Sequence, residues 1–140
     1  MDNKIYLVSN VLYDIRRKEL EKTMTLIDEF TIQKTFVEWA RKQDFITLCF
    51  AIPNGFKSNA KNAMMMKREG LLPGVPDVFC LLKNGKWAIV EFKTEVGKVS
   101  PQQKVIIDKL LGTRQAVAVC RSTHEAVRFV KEVYNGEFVC

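Results

Sequence analysis

From Asp28 onward the apolar positions change period several times, and each change marks an element. DEFTIQKTFVEWARKQ sets Phe30, Phe36, Val37 and Ala40 at helical spacings with Lys and Arg between them, which predicts a helix. Asp28 and Glu29 stand at its start, where carboxylates suit the positive end of the helix dipole. FITLCFAI is a continuous apolar run rich in β-branched and aromatic residues, the pattern of a buried strand. Pro53-Asn54-Gly55 breaks it. SNAKNAMMMKREG is helical, with Ser58 as N-cap and Gly70 just past its end. The run Met64, Met65, Met66 reads as core filler.

After the rigid turn LLPGVP come the strand DVFCLL, the turn KNG and the strand KWAIVEFKTE. SPQQKVIIDKLLG is a helix with Ser100 as N-cap, Pro101 at the first helical position and Gly112 closing it. QAVAVC is a short buried strand. STHEAVRFVKEVYNG is a last helix, capped by Ser122 and ending near Gly136. The order helix, strand, helix, hairpin, helix, strand, helix predicts an α/β fold. Its sheet has about four strands, mixed because of the hairpin and flanked by helices. Residues 1–25 are less legible: KIYLVSNVLYDI fits a strand or a helix start, and RRKELEKTM is charged and helix-like.

The 140 residues, 47% apolar and 27% charged, fit one domain and exclude a disordered or low-complexity chain. A chain of this size buries roughly two-thirds of its unfolded surface, so no metal or disulfide staple is needed. No apolar run approaches the ~18 residues of a membrane span. MDNKIYLVSN lacks the pattern of a signal peptide, so a cytoplasmic protein is expected. The formal charge of +6 favours a polyanionic partner, nucleic acid first. Cys49, Cys80, Cys120 and Cys140 form no CxxC pair, which speaks against zinc; the first three lie in apolar runs and read as reduced core residues. The single histidine, His124, at a helix start, reads as a surface residue.

The chemistry concentrates in PGVPDVFCLLKNGKWAIVEFKTEVGKVSPQQ. On a strand, Glu91 and Lys93 share one face, which must then be polar or open, while Val90 and Phe92 face the core. Asp77 opens the preceding strand directly after Pro76. A two-residue Asn84-Gly85 loop would set Asp77 opposite Phe92. A three-residue loop of Lys83, Asn84 and Gly85, with Gly85 left-handed, sets it opposite Glu91. Opposed carboxylates have Cβ atoms ~5 Å apart and repel unless a cation lies between them. The three-residue loop is therefore expected. Two carboxylates with a backbone carbonyl and waters are hard oxygen ligands that suit Mg²⁺ or Mn²⁺. A metal, a water and a lysine facing a polyanion fit phosphodiester hydrolysis.

Asp77, then thirteen residues, then Glu91-Phe92-Lys93 resembles the PD-(D/E)XK nuclease motif. The match widens to Pro53-Asn54-Gly55, to GLLPGVPD ending at Asp77, and to GKVSPQQ ending at Gln103. That ordered set resembles the VRR-NUC branch, the virus-type replication and repair nucleases, over roughly residues 29–130. The resemblance implies a restriction-endonuclease-like fold for residues 29–140; residues 1–28 lie outside it and, by position and amphipathic character, are read as an N-terminal extension that could form a dimer contact. The resemblance also implies that Asp77, Glu91 and the Phe92 carbonyl hold the metal and that Lys93 is the catalytic lysine. Gln103 would point to the same site; capping or packing near Pro101 is an equal reading. Glu29 would reach the metal or its water, or simply favour the helix start. Gln33 stands where some members carry an acid, which leaves metal number open. Asn54, with Gly55, would shape the rim. Lys57, Lys61, Lys67, Arg68 and Lys98 would meet phosphates, or form a solvated face. Glu38 and Glu95 read as structural.

The expected function is a metal-dependent DNA endonuclease leaving 5′-phosphate and 3′-hydroxyl ends. Its preference would be for branched DNA, in the manner of a Holliday-junction resolvase or a flap nuclease, and it would act as a homodimer because paired cuts need two sites. A restriction or defence nuclease on duplex DNA and a non-catalytic DNA-binding module are the alternatives.

Overall fold

In the computed structural model, residues 28–53 and 59–138 are described. Among them the elements follow the expected order: α1 (Glu29–Ala40), β1 (Ile46–Ala51), α2 (Ala60–Arg68), β2 (Val78–Leu82), β3 (Trp87–Phe92), α3 (Pro101–Gly112), β4 (Ala116–Cys120) and α4 (Thr123–Asn135). The expectations for residues 1–28 as an extension and for Asn54, Lys57, Ser58 and Cys140 fall outside the described residues, apart from Asp28 itself.

Local chemistry sets most boundaries. The Asp28 carboxylate accepts from the Thr31 N–H at 2.8 Å and caps α1. Ser122 caps α4, which ends at Gly136 in the left-handed region (φ 75°). Asn59, not Ser58, caps α2. Past its far end Gly70 adopts φ 105°, where the Gly70 and Leu71 N–H groups donate to the carbonyls of Lys67 and Met66. Gly112 is the last residue of α3, and Arg114 (φ 61°) takes the left-handed turn beyond it.

The strands lie in the order β1-β2-β3-β4, antiparallel from β1 to β3, with β4 parallel to β3. A parallel neighbour demands a crossover, and α3 supplies it. On one face, α1 sets Ile32, Phe36 and Ala40 beside Ala126, Phe129, Val130 and Val133 of α4. Both rows pack on Val78, Cys80, Leu82, Ala88, Val90 and Phe92.

Three expectations fail here for one reason: an apolar pattern cannot say what an element will meet. Phe30 is 71% exposed, and the buried stripe of α1 runs instead through Ile32. β1 is an edge strand, not a buried one, and Leu48 is 54% exposed. Met64 and Met65 are exposed and Met66 half-buried, so the methionine run fills no core. Cys49, Cys80 and Cys120 carry free thiols, and His124 is exposed in the first turn of α4.

Candidate active site

The β2–β3 hairpin aligns the carboxylates. Its ladder runs Val78↔Val90, Phe79↔Ile89, Cys80↔Ala88 and Leu81↔Trp87. The Leu82 N–H closes the turn on the Lys86 carbonyl at 2.9 Å, leaving Lys83, Asn84 and Gly85 as the loop, with Gly85 at φ 81°. This is the three-residue class. One step beyond Val78↔Val90, Asp77 stands opposite Glu91. The Asp77 carboxylate also accepts from the Phe92 N–H at 2.7 Å. The Asp77 carbonyl accepts from the Ile52 N–H at 2.8 Å, so the end of β1 braces the same point.

Glu91 and Lys93 do not stand on an open face, as the strand pattern suggested. They are 1% and 7% exposed. β3 is an interior strand, and the first turn of α3 reaches it through Gln103. The Glu91 Oε1 atom accepts from Gln103 Nε2 at 2.5 Å and lies 3.1 Å from Lys93 Nζ. Gln103 serves both of its readings at once. Its amide oxygen accepts from the Ser100 N–H at 2.9 Å, and its own N–H donates to the Ser100 hydroxyl. The capping box thus fixes which end of the amide faces Glu91. Glu29, on the first turn of α1, brings its carboxylate to 3.6 Å from Lys93 Nζ.

Glu91 Oε2 is buried and has no hydrogen-bond partner. A buried carboxylate oxygen left bare is costly, and a proton or a bound cation would relieve that cost. Among the described residues no three His, Cys, Asp or Glu side chains converge into a closed cage. The donor set is a carboxylate pair with nearby backbone oxygen, which suits a hard, partly hydrated cation. Burial pushes the Glu91 carboxyl up to about 7, and the Asp77 charge adds to this against the pull of Lys93. Burial also raises Asp77, against the Phe92 N–H and Lys93. Lys93 is raised as well: burial acts downward, but the Glu91 hydrogen bond and the charges of Glu91, Glu29 and Asp77 outweigh it.

Two residues assigned no individual role from the sequence hold this arrangement. Arg121, directly after β4, donates from one guanidinium nitrogen to the carbonyls of Thr94, Glu95 and Gly97 at 2.6, 3.1 and 2.7 Å. It pins the loop that leaves Lys93 and leads to α3. Nothing in its local sequence signals this, since the partners lie 24 to 27 residues away. Gly74 (φ 90°) lies against the start of α3, where a Cβ would sit 2.7 Å from the Gln102 carbonyl carbon. The turn before Asp77 is thereby wedged under the helix that carries Gln103.

The VRR-NUC domain model matches residues 16–124 of the chain. The chain belongs to the VRR-NUC family. The match begins ahead of Glu29, inside the segment read as an extension. A solved structure described as a VRR_NUC domain protein is similar in fold, with a TM-score of 0.62 at 18% identity. The likeness covers 75% of this chain and 86% of that one. No curated protein matches it significantly. The mixed four-stranded sheet flanked by helices is the restriction-endonuclease-like fold expected of this family.

Within this VRR-NUC domain, Asp77, Glu91, Lys93, Gln103 and Glu29 form one cluster, and Phe92 contributes backbone to it. Lys61, Lys67 and Lys98 are exposed and join no part of it. Glu38 pairs only with exposed Lys34. Glu95 lines a cavity of about 200 Å³ with Thr31, Thr35 and Arg121. No helix among the described residues is long and apolar enough to cross a membrane.

Proposed function

We propose that this VRR-NUC domain is a metal-dependent DNA endonuclease that hydrolyses phosphodiesters, with a preference for branched DNA. The observation that carries the reading is the bare, buried Glu91 Oε2 beside Asp77, with Lys93 bonded to the other oxygen of the same carboxylate. Asp77, Glu91 and the Phe92 carbonyl would hold Mg²⁺ or Mn²⁺. Such an ion supplies Lewis acidity and a water of lowered pKa.

The chain's own residues do the rest. Its three acidic neighbours keep Lys93 protonated at neutral pH. In that protonated form its Nζ can donate to a phosphate oxygen that gains charge. Gln103 holds Glu91 Oε1, which leaves Oε2 facing the metal position. Glu29 steadies Lys93 from the α1 side. Exposed Lys61, Lys67 and Lys98 offer contacts to the backbone phosphates, which position a substrate without reading its sequence. One compact domain has little room for base-reading elements, which favours recognition by shape. A homodimer would supply the two sites that paired cuts require.

The test compares cleavage of a labelled four-way junction, a flap and a matched linear duplex, in Mg²⁺, Mn²⁺ or EDTA. Metal-dependent cutting of branched DNA that disappears in Asp77→Ala and Lys93→Ala is expected. Equal cutting of the linear duplex would discard the branch preference. Binding without cutting in either metal would make the domain a non-catalytic module.

A further inference from the structure

The connection between β1 and β2 leaves the sheet beside Asp77 and returns there, since Ile52 and Asp77 are hydrogen-bonded across its base. The helix on this connection, α2, buries no residue. Ala63 and Met66 are half-buried, while Lys61, Met64, Met65 and Arg68 are all exposed. Those four follow the spacing i, i+3, i+4, i+7 and so form a single outward stripe. At its centre Met64 and Met65 are 58% and 52% exposed, and a cation stands at each end. Both helix ends are fixed, by the Asn59 cap and by the double bond through Gly70 and Leu71.

We infer that this stripe is a wedge for DNA. Met64 and Met65 press against bases opened at a branch point, while Lys61 and Arg68 grip the phosphates on either side. The inference rests on the nuclease reading and deepens it by naming what distinguishes branched from continuous DNA. Charge complementarity selects the occupant. The chain carries +6, and α2 itself has no acidic residue, Glu69 following only as its C-cap. The dimensions agree: seven residues of helix span ~10.5 Å, and a minor groove is ~6 Å wide. Two long cationic side chains at that separation straddle such a groove. Methionine is among the apolar side chains that part base steps, and its unbranched thioether fits irregular gaps. Two methionines offer far less apolar surface than the ~800 Å² per partner of a stable protein interface.

The experiment uses the full chain with Asp77→Asn, so that DNA survives. A four-way junction carries 2-aminopurine at its branch, and a matched duplex carries it centrally. Bound Asp77→Asn protein is expected to raise fluorescence on the junction only. Adding Met64→Ser and Met65→Ser should abolish that rise and weaken junction binding about tenfold, the scale of one lost stacking contact. Duplex affinity should change less than about twofold, within the backbone contacts that remain. Adding Met64→Leu and Met65→Leu instead should preserve both signals. Lys61→Gln with Arg68→Gln should weaken both DNAs alike and flatten the salt dependence. Serine variants with unchanged fluorescence and junction preference would overturn the wedge alone. A serine variant that changes oligomeric state with DNA selectivity intact would reassign the stripe to contact between copies. An Asp77→Asn protein that binds neither DNA would overturn the nuclease reading, and the wedge with it.

Discussion

β3 and α2 invert each other. β3 and the residue just past it carry a carboxylate, Glu91, and an ammonium, Lys93, and hide both, at 1% and 7% exposure, whereas α2 shows two of its three methionines at more than half exposure. β3 lies inside the sheet between β2 and β4, and all its residues but Trp87 are buried, Glu91 among them. These charges have partners: Gln103 and Lys93 both meet Glu91 Oε1 and Glu29 meets Lys93, while Glu91 Oε2 stays bare. α2 rides on a connection beyond the edge strand and buries no residue. A site built on the first kind of element is rigid and preorganised. A surface built on the second is free to meet a partner.

The sharpest way to break this contrast is to remove the charge of Lys93, just past β3. Lys93→Ala is expected to cut the single-turnover cleavage rate by about 10³-fold, the scale of losing one charge donor aimed at the transition state. A variant with near-normal rates would make β3 merely structural. Gly74→Ala comes next. The added methyl meets the Gln102 backbone at 2.7 Å and must adopt φ 90°. About 2 kcal/mol of stability should be lost, with reduced cleavage as α3 shifts, measured by urea unfolding.

A smaller effect follows from the buried carboxylate. In EDTA the folded state keeps a proton on Glu91 up to about pH 7, whereas the unfolded chain releases it near 4.5. The folded state thus binds more protons in that window, so this group's contribution to stability falls as pH rises from about 4.5 to 7. Asp77, also raised, acts in the same direction from a lower start. The contribution of Lys93 is intact throughout and is lost only in the alkaline range above its ordinary value. Melting curves at pH 5 and pH 8 should therefore differ more in wild type than in Glu91→Gln. Mg²⁺ or Mn²⁺ is expected to stabilise wild type and not this variant. Equal pH slopes would mean that Glu91 is not held as described. The smallest effect belongs to α2: Met64→Ser with Met65→Ser should shift unfolding by no more than about 0.5 kcal/mol, as exposed substitutions do.

The same two elements show what could be read in advance. Asp28, Ser122 and Gly136 announced helix ends because capping is a local matter of a few residues. The Lys83–Gly85 loop was legible only through the site's chemistry, since a two-residue Asn84-Gly85 turn fits the same residues but sets Asp77 opposite Phe92. Met64, Met65 and Phe30 were misread because apolar character says nothing about whether another element arrives to cover it. The depth of Glu91 and Lys93 was missed for the converse reason: another element, α3, arrives at Glu91 through Gln103.

The sequence by itself determined the order of elements, most of their caps and the acidic pair with its lysine. All of these depend on interactions spanning a few residues or one turn. Only the tertiary structure decided that β1 is an edge, that Arg121 pins the loop after Lys93, that Gly74 seats α3, and that α2 stands clear of the core. Those outcomes depend on which surfaces meet, and burial is a property of the assembled layers rather than of any segment within them.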